Sequence, residues 1–410
     1  MDKLIETYIN KYLNRQDIMY RIAPKLNIDV FWGQLLLARK QFAVETPLRD
    51  KLDTPFWFAF IPSIAKNIDY IDEIGKHHLF NMVQGELAES VIMDAILDEA
   101  FYSSVIEGAF STKQRTAEMI ATNSKPVNKS EQMIFNNYNA LQFALENIDS
   151  PLNENIILSI YRIVTENTLE DEDIVEKYRT GPVYVWDASL NKAIYEAPSH
   201  VKVQSMMDDL ITFINNDADG LHPIIKSCIL HMYFVYIHPF FDGNGRTARA
   251  ISYMYLLQKG YAFFKFFSIS SIIREQKSKY YKAIKDTEDY DSDLTYFILY
   301  YTDMIISSIK TVLDRFHKEL SRRVIKECLD KMEIVISKRQ SKAVNLLIKS
   351  DKNFTTIEEY AKKNKVVYET ARTDLNQLVE LGLINKTKVS KKYIYKLAKP
   401  ENFYDLCNKL

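Results

Sequence analysis

Apolar residues recur at i, i+3 and i+4 over most of this chain, a period that predicts a mainly α-helical protein. KSEQMIFNNYNALQFALENI (129–148) and ENIILSIYRIVTENTL (154–169) read as helices, with Asn136, Asn137 and Tyr138 inside the packed face. VKVQSMMDDLITFINN, HPIIKSCILHMYFVYI, SIIREQKSKYYKAIKDTEDY and DLTYFILYYTDMIISSIKTVLDRFHKELSRRV carry the pattern on to residue 324. His222 and His231, on or beside the second of these, read as capping or packing residues and not as metal ligands. The period breaks at residues 179–199, where VYVW and AIYE flank a polar turn from Asp187 to Lys192, the pattern of a short β-hairpin. An isolated hairpin is marginal by itself, so its presence in a helical protein suggests use. The first 80 residues mix helical spacing (Leu4, Tyr8, Tyr12, Leu13) with an aromatic run in which Phe56, Trp57 and Phe60 read as core packing.

Beyond residue 337 the pattern changes again. RQSKAVNLLIKS, FTTIEEYAKKNK and VVYETARTDLNQLVELGLI give three helices, and NKTKVSKKYIYKL gives two β-prone runs around a Lys-rich turn. This is the layout of a winged helix-turn-helix. Thr356 can cap the second helix, with Glu359 three residues on. Tyr368 to Leu381 would be the recognition helix, presenting Thr370, Arg372, Thr373 and Gln377, and Lys386, Lys388, Lys391 and Lys392 would line the wing. Such modules also serve protein contact and dimerisation, so a DNA or a protein partner both fit 338–399. The expected organisation is an N-terminal helical region (1–84), a central domain (85–310), a helical linker (311–337), this basic module (338–399) and a tail (400–410).

Composition sharpens the picture in three respects. Ten Gly and eleven Pro in 410 residues are few, which disfavours a turn-rich all-β chain. The net charge of −1 excludes a global polyelectrolyte role, yet residues 338–399 hold 15 Lys/Arg against 6 Asp/Glu. Cys228, Cys328 and Cys407 are widely spaced and imply neither a disulfide framework nor a zinc site. With no apolar run of membrane length and no signal-peptide pattern, the expectation is a soluble, cytoplasmic protein without a membrane partner.

The candidate chemistry is concentrated in HPFFDGNGRTAR, residues 238–249. Gly243 and Gly245 permit positive φ and close approach of the backbone to an anion. The residues after Gly245 read as a helix, whose N-terminus favours phosphate. Arg246 and Arg249, three apart, lie on one face and can clamp neighbouring phosphates. Asp242 is a hard oxygen ligand suited to Mg²⁺, and His238 can act as a general base. Phe240 reads as a core anchor for the loop. Together these make a site for a magnesium nucleotide beside a base that can deprotonate a hydroxyl.

The twelve residues match every defined position of H-P-F-x-D-G-N-G-R-x-x-R and so resemble the Fic (filamentation induced by cAMP) family. The resemblance covers roughly residues 85–310. It implies a helical bundle with a small β-hairpin flap, joined here to a C-terminal winged-helix domain. It also implies transfer of AMP from ATP to a Ser, Thr or Tyr hydroxyl of a target protein. By the same resemblance His238 would deprotonate the hydroxyl and Asp242 would hold Mg²⁺. Asn244 with the Gly243 and Gly245 backbone would cradle the α- and β-phosphates, Arg246 would bind the leaving phosphates, and Arg249 the γ-phosphate. Ser103, Glu107 and Gly108 fit S/T-x-x-x-E-G/N, which looks like the family's inhibitory helix, expected here near residues 95–110. Glu107 would then pair with Arg249 until a conformational, partner or oligomer change, such as a homodimer, frees it. Residues 183–196 would be the flap on which the target docks by strand addition. Tyr280 and Tyr281 match a Tyr pair of the adenine pocket, with Tyr281 the expected contact. Removal of AMP, use of another nucleotide, or a DNA-binding regulator with a nucleotide-sensing site remain as alternatives.

Overall fold

The structure, a computed structural model, describes residues 2–22, 26–79, 86–187, 192–331, 336–349, 354–389 and 392–398. It divides into two compact units, Met1–Val312 and Leu313–Leu410, and the 37-residue helix Thr295–Lys331 runs across that boundary. Lys391 of the expected wing and the expected tail 400–410 lie outside the described residues. Among the described residues no helix is long and apolar enough to cross a membrane.

The first unit is built around the helix Pro223–Ile237, which is buried at nearly every position. A helix with no polar face has to be surrounded. Pro223 sits in its first turn, where its missing N–H costs nothing, and the His222 ring accepts the Ile224 N–H at 3.3 Å as N-cap. The helix Asn244–Gln258 packs on it, and Lys129–Glu146, Glu154–Thr165 and Glu86–Ile106 pack in turn on that second helix. Asn136 and Asn137 tie these layers together. The Asn136 amide donates to Val164 O and Glu166 O, and that of Asn137 donates to Ala100 O. His231 is fully buried and shares a hydrogen bond of 2.8 Å with the Tyr280 hydroxyl.

The N-terminal region differs from its helical expectation. Ala43–Arg49 and Pro55–Ala59 form an antiparallel pair of strands. The second strand is buried on both faces, because its Trp57 also exchanges main-chain hydrogen bonds with Ser292 and Leu294. Phe56 and Trp57 are core residues as expected; Phe60 is 47% exposed, because the strand has ended and the chain is turning. This region is fastened by Arg39, which is fully buried. Arg39 donates to Tyr296 Oη (2.9 Å), Leu13 O (2.8 Å) and Tyr8 O (3.3 Å) and lies 3.9 Å above the Tyr12 ring.

The strands Tyr184–Asp187 and Lys192–Glu196 pair antiparallel, with a register shift between Val185 and Trp186. Residues 188–191 of the expected turn lie outside the described residues.

In the second unit the helices Lys338–Lys349, Ile357–Asn364 and Tyr368–Glu380 enclose Val344, Leu347, Leu375, Leu378 and Tyr395. Phe354–Thr355, Lys392–Leu397 and Ile384–Val389 lie side by side in that order as an antiparallel sheet. Thr356 caps its helix by accepting the Glu359 N–H at 3.2 Å. Asp374 points inward and accepts from Arg339 and from the Tyr360 hydroxyl, while Arg372, Thr373, Lys386, Lys388 and Lys392 are exposed.

Arg39→Ala leaves three acceptors without their donor, and burial denies them water in exchange. The expected loss is about 3 kcal/mol of unfolding free energy, measured by urea denaturation; a loss below about 1 kcal/mol contradicts the fastening role.

Candidate active site

The loop 238–243 joins the buried helix Pro223–Ile237 to the buried helix Asn244–Gln258. Its geometry is set by its own side chains. Asn244 accepts the Phe240 N–H (3.0 Å) and donates to Phe240 O (2.8 Å), closing the loop on itself. The Phe240 ring stacks on Tyr161 at 3.5 Å with 4° between the planes. Gly243 has φ +82°, and a Cβ there would lie 2.6 Å from Thr165 Cγ2, so the position has neither the conformation nor the space for a side chain. The Asn244 side chain faces Phe240. What residue 244 offers outward is its main-chain N–H, in the first turn of a helix that has no intrahelical partners for such groups.

His238 caps the preceding helix in a left-handed conformation, φ +52°. Its Nδ1 lies 3.3 Å from Val235 O, so Nδ1 carries the proton and Nε2 keeps its lone pair. Burial pushes the imidazole pKa down to about 4, so the ring is neutral at physiological pH and able to accept a proton. The His238 carbonyl accepts from Arg179 Nε at 2.8 Å. Sequence reasoning passed over Arg179, since its partners here are backbone carbonyls, which leave no mark in a sequence.

Asp242 is half exposed; Oδ1 accepts the Gly243 N–H, and Oδ2 is 3.3 Å from Arg246 Nη2. Among the described residues no three His, Cys, Asp or Glu side chains gather as a metal cluster. A single exposed carboxylate nevertheless suits a Mg²⁺ ion that takes its other oxygens from phosphates and water. Arg246 is fully buried, with Nη1 on Val164 O at 3.0 Å. Burial lowers its pKa, and nearby Asp242 and Glu107 oppose that shift.

Arg249 is the meeting point of the two motifs. Its Nε donates to Ser103 Oγ (2.7 Å), and its Nη2 to Ser103 O (2.9 Å) and to Glu107 Oε1 (2.8 Å). Burial works against its charge, but Glu107, Tyr280 and Glu99 together raise the guanidinium pKa. Nη1 is buried with no hydrogen-bond partner. The Glu107 carboxylate also stands over Gly245, where a Cβ would lie 2.2 Å from Oε1. An internal anion thus occupies the N-terminal turn of the helix Asn244–Gln258.

Glu107 owes its place to a helix ending. The helix Glu86–Ile106 stops at Gly108, φ +96°, with Ala109 N–H on Ser104 O and Gly108 N–H on Val105 O. This is a Schellman cap. Lys277 Nζ donates to Ile106 O at 2.7 Å, a cation on the negative end of the helix. One turn before Ser103, Glu99 accepts from Ser268 Oγ and from both the N–H and hydroxyl of Ser270. Neither Lys277 nor Glu99 stood out in the sequence. The two tyrosines divide their roles: Tyr280 is buried on His231, and Tyr281 is 39% exposed.

Residues 151–256 match the model of the Fic/DOC family. Over 203 residues the chain is 31% identical to a protein adenylyltransferase Fic of Nematostella vectensis, which covers 47% of this chain and 45% of that one. Its identity to the protein adenylyltransferase Fic of Drosophila willistoni is 26% over 201 residues, covering 47% of this chain and 37% of that one. The match therefore spans less than half the length of either relative. A crystal structure of a Fic family protein from Desulfovibrio desulfuricans G20 shares the fold, with a TM-score of 0.55 at 19% identity, covering 83% of this chain and 97% of that one.

Two buried histidines of the first unit, His231 (about 3) and His238 (about 4), have pKa values below the ordinary 6.5. Above pH 6.5 neither the folded nor the unfolded chain binds these protons. As pH falls from 6.5 toward 4 the unfolded chain takes them first, so stability drops. His231→Gln, which cannot be protonated, should give a shallower loss between pH 7 and 4.5 in urea titrations; an unchanged slope contradicts the assignment.

Proposed function

We propose that this chain transfers AMP from ATP to a Ser, Thr or Tyr hydroxyl of a target protein, with Glu107 holding the site in check. The observation that carries the reading is the Glu107 carboxylate, bonded to Arg249 and standing over Gly245. A carboxylate in that place occupies ground suited to a terminal phosphate. The named activity of the relatives, protein adenylyltransferase Fic, supports AMP as the transferred group.

In this reading the first-turn N–H groups after Gly243 face the α- and β-phosphates, and Arg249 takes the γ-phosphate once Glu107 has moved. Asp242 would hold Mg²⁺, which when bound neutralises phosphate charge. The Tyr281 ring, partly exposed, offers a face to the adenine. The target hydroxyl oxygen attacks the α-phosphorus while His238 Nε2 takes its proton. The bond from the α-phosphorus to the bridging oxygen breaks, and its electron pair leaves with pyrophosphate. Catalysis comes mainly from positioning and from charge held ready in a desolvated site. The target would lie along the hairpin 183–196 as an added strand.

The C-terminal unit is read as a winged-helix module for targeting or assembly, with Arg372, Thr373, Lys386, Lys388 and Lys392 on its exposed side. Retention on duplex DNA that falls steeply with salt is the outcome for a nucleic-acid partner; no retention at low salt leaves protein contact as its role.

Transfer of label from α-³²P-ATP to protein tests the reading. Glu107→Gly should raise transfer about 5- to 150-fold, the range of a 1–3 kcal/mol coupling. Adding His238→Ala should lower it at least about 100-fold. No label in any form, with ATP still bound, points to another donor. Because the base is active when neutral, the acid limb of kcat/KM should fall with an apparent pKa of about 4. A midpoint near the ordinary histidine value would remove His238 as the base in the form described.

A further inference from the structure

The end of the helix that delivers His238 has an unusual set of partners. A helix C-terminus leaves its last carbonyls without intrahelical donors. Here each carbonyl from Phe234 to Pro239 has a donor. His238 supplies its N–H to Phe234 O and its Nδ1 to Val235 O. The other four donors come from the two roots of the hairpin Tyr184–Glu196. Tyr195 Oη donates to Tyr236 O, Arg179 Nη2 to Ile237 O (3.3 Å), Arg179 Nε to His238 O (2.8 Å), and Arg179 N–H to Pro239 O (2.9 Å).

Arg179 also binds the hairpin to itself. Nη1 donates to Gly181 O (2.8 Å) before the first strand, and Nη2 to Pro198 O after the second. The residue is 2% exposed, and every hydrogen bond it makes is to a carbonyl oxygen. A buried guanidinium is expensive to desolvate. Its rigid fork of five donors is, however, what can join three separate stretches of backbone at one point. His238, for its part, is a non-glycine residue at positive φ, a conformation that persists where its surroundings over-determine it.

We propose that Arg179 and Tyr195 are positioning residues that lock the base of the hairpin to the His238 turn, so that the strand receiving the target and the group receiving its proton move as one body. The inference rests on the adenylyltransferase reading and adds to it a physical link between target docking and the general base. A hydroxyl carried by a segment paired to the hairpin would arrive at a fixed distance from Nε2. The nucleotide side of the site is carried mainly by a different element, the helix Asn244–Gln258.

The test uses the full chain in the Glu107→Gly background, with Arg179→Lys and Tyr195→Phe. Arg179→Lys keeps a positive charge but loses the fork, and Tyr195→Phe removes one hydroxyl. Three quantities are read: ATP affinity, rate of AMP transfer at saturating ATP, and the ¹⁵N signals of the His238 ring. The expected result is ATP affinity within about twofold of the parent, with transfer lower by about 100-fold in Arg179→Lys and about tenfold in Tyr195→Phe. The His238 ring should also pass from a single Nδ1–H tautomer to a mixture in both variants, further in Arg179→Lys. An unchanged tautomer, or a loss of transfer only in step with ATP affinity, overturns the proposal. Should Arg179→Lys not fold, Tyr195→Phe decides by the same readouts. A parent that transfers nothing sinks the functional reading, while the tautomer comparison still decides the clamp.

Discussion

The structure turns on one guanidinium that must always face an anion. Arg249 lies in the wall of the bundle with almost no water to solvate its charge. A buried cation left without its partner costs several kcal/mol, on the order of 3–5. The carboxylate of Glu107 meets that demand at 2.8 Å, with Ser103 completing the coordination from the same helix. In the adenylyltransferase reading a phosphate makes the same offer. The two anions would then exchange places at the guanidinium. Such an exchange is governed by the difference between two strong interactions, which is small even though each is large.

The rest of the pocket does not need the anion to keep its shape. Asn244 closes the loop on Phe240, Phe240 stacks on Tyr161, and Thr165 leaves room only for hydrogen at Gly243. These contacts hold the first-turn N–H groups in place whatever lies in front of them, the kind of preorganisation on which charge stabilisation depends. The contacts that fix the loop are thus separate from the contact between Glu107 and Arg249.

How much of this the sequence reveals depends on whether the partners are side chains close together in the chain. HPFFDGNGRTAR is contiguous, so its turn, helix start, base and two arginines can be read directly, and Ser103 to Glu107 is one helical turn. Arg179 could not be read, because hydrogen bonds to carbonyls ask nothing of the residues that supply them. The bonds of the Asn244 amide to Phe240 could not be read either, because its partners there are main-chain groups. Ala43–Arg49 and Pro55–Ala59 escaped for another reason. Pro55–Ala59, buried from Phe56 onward and bonded to residues 292 and 294, shows no alternation to distinguish it from other apolar sequence, and Ala43–Arg49 alternates in burial but with Thr46 at one of its two buried positions.

The cap at Gly108 bears on how such a brake could be tuned. Because the helix ends at Ile106, Glu107 stands beyond the last full turn, on backbone already leaving the helical path. Withdrawing its carboxylate would ask for rotation about a few bonds just past the capped end, with Glu99 still anchored on Ser268 and Ser270 further back. The device is closer to a latch on a fixed post than to a sliding bolt. Its set point then lies in the few residues around the cap, where small changes adjust the threshold while the bundle that carries them stays the same.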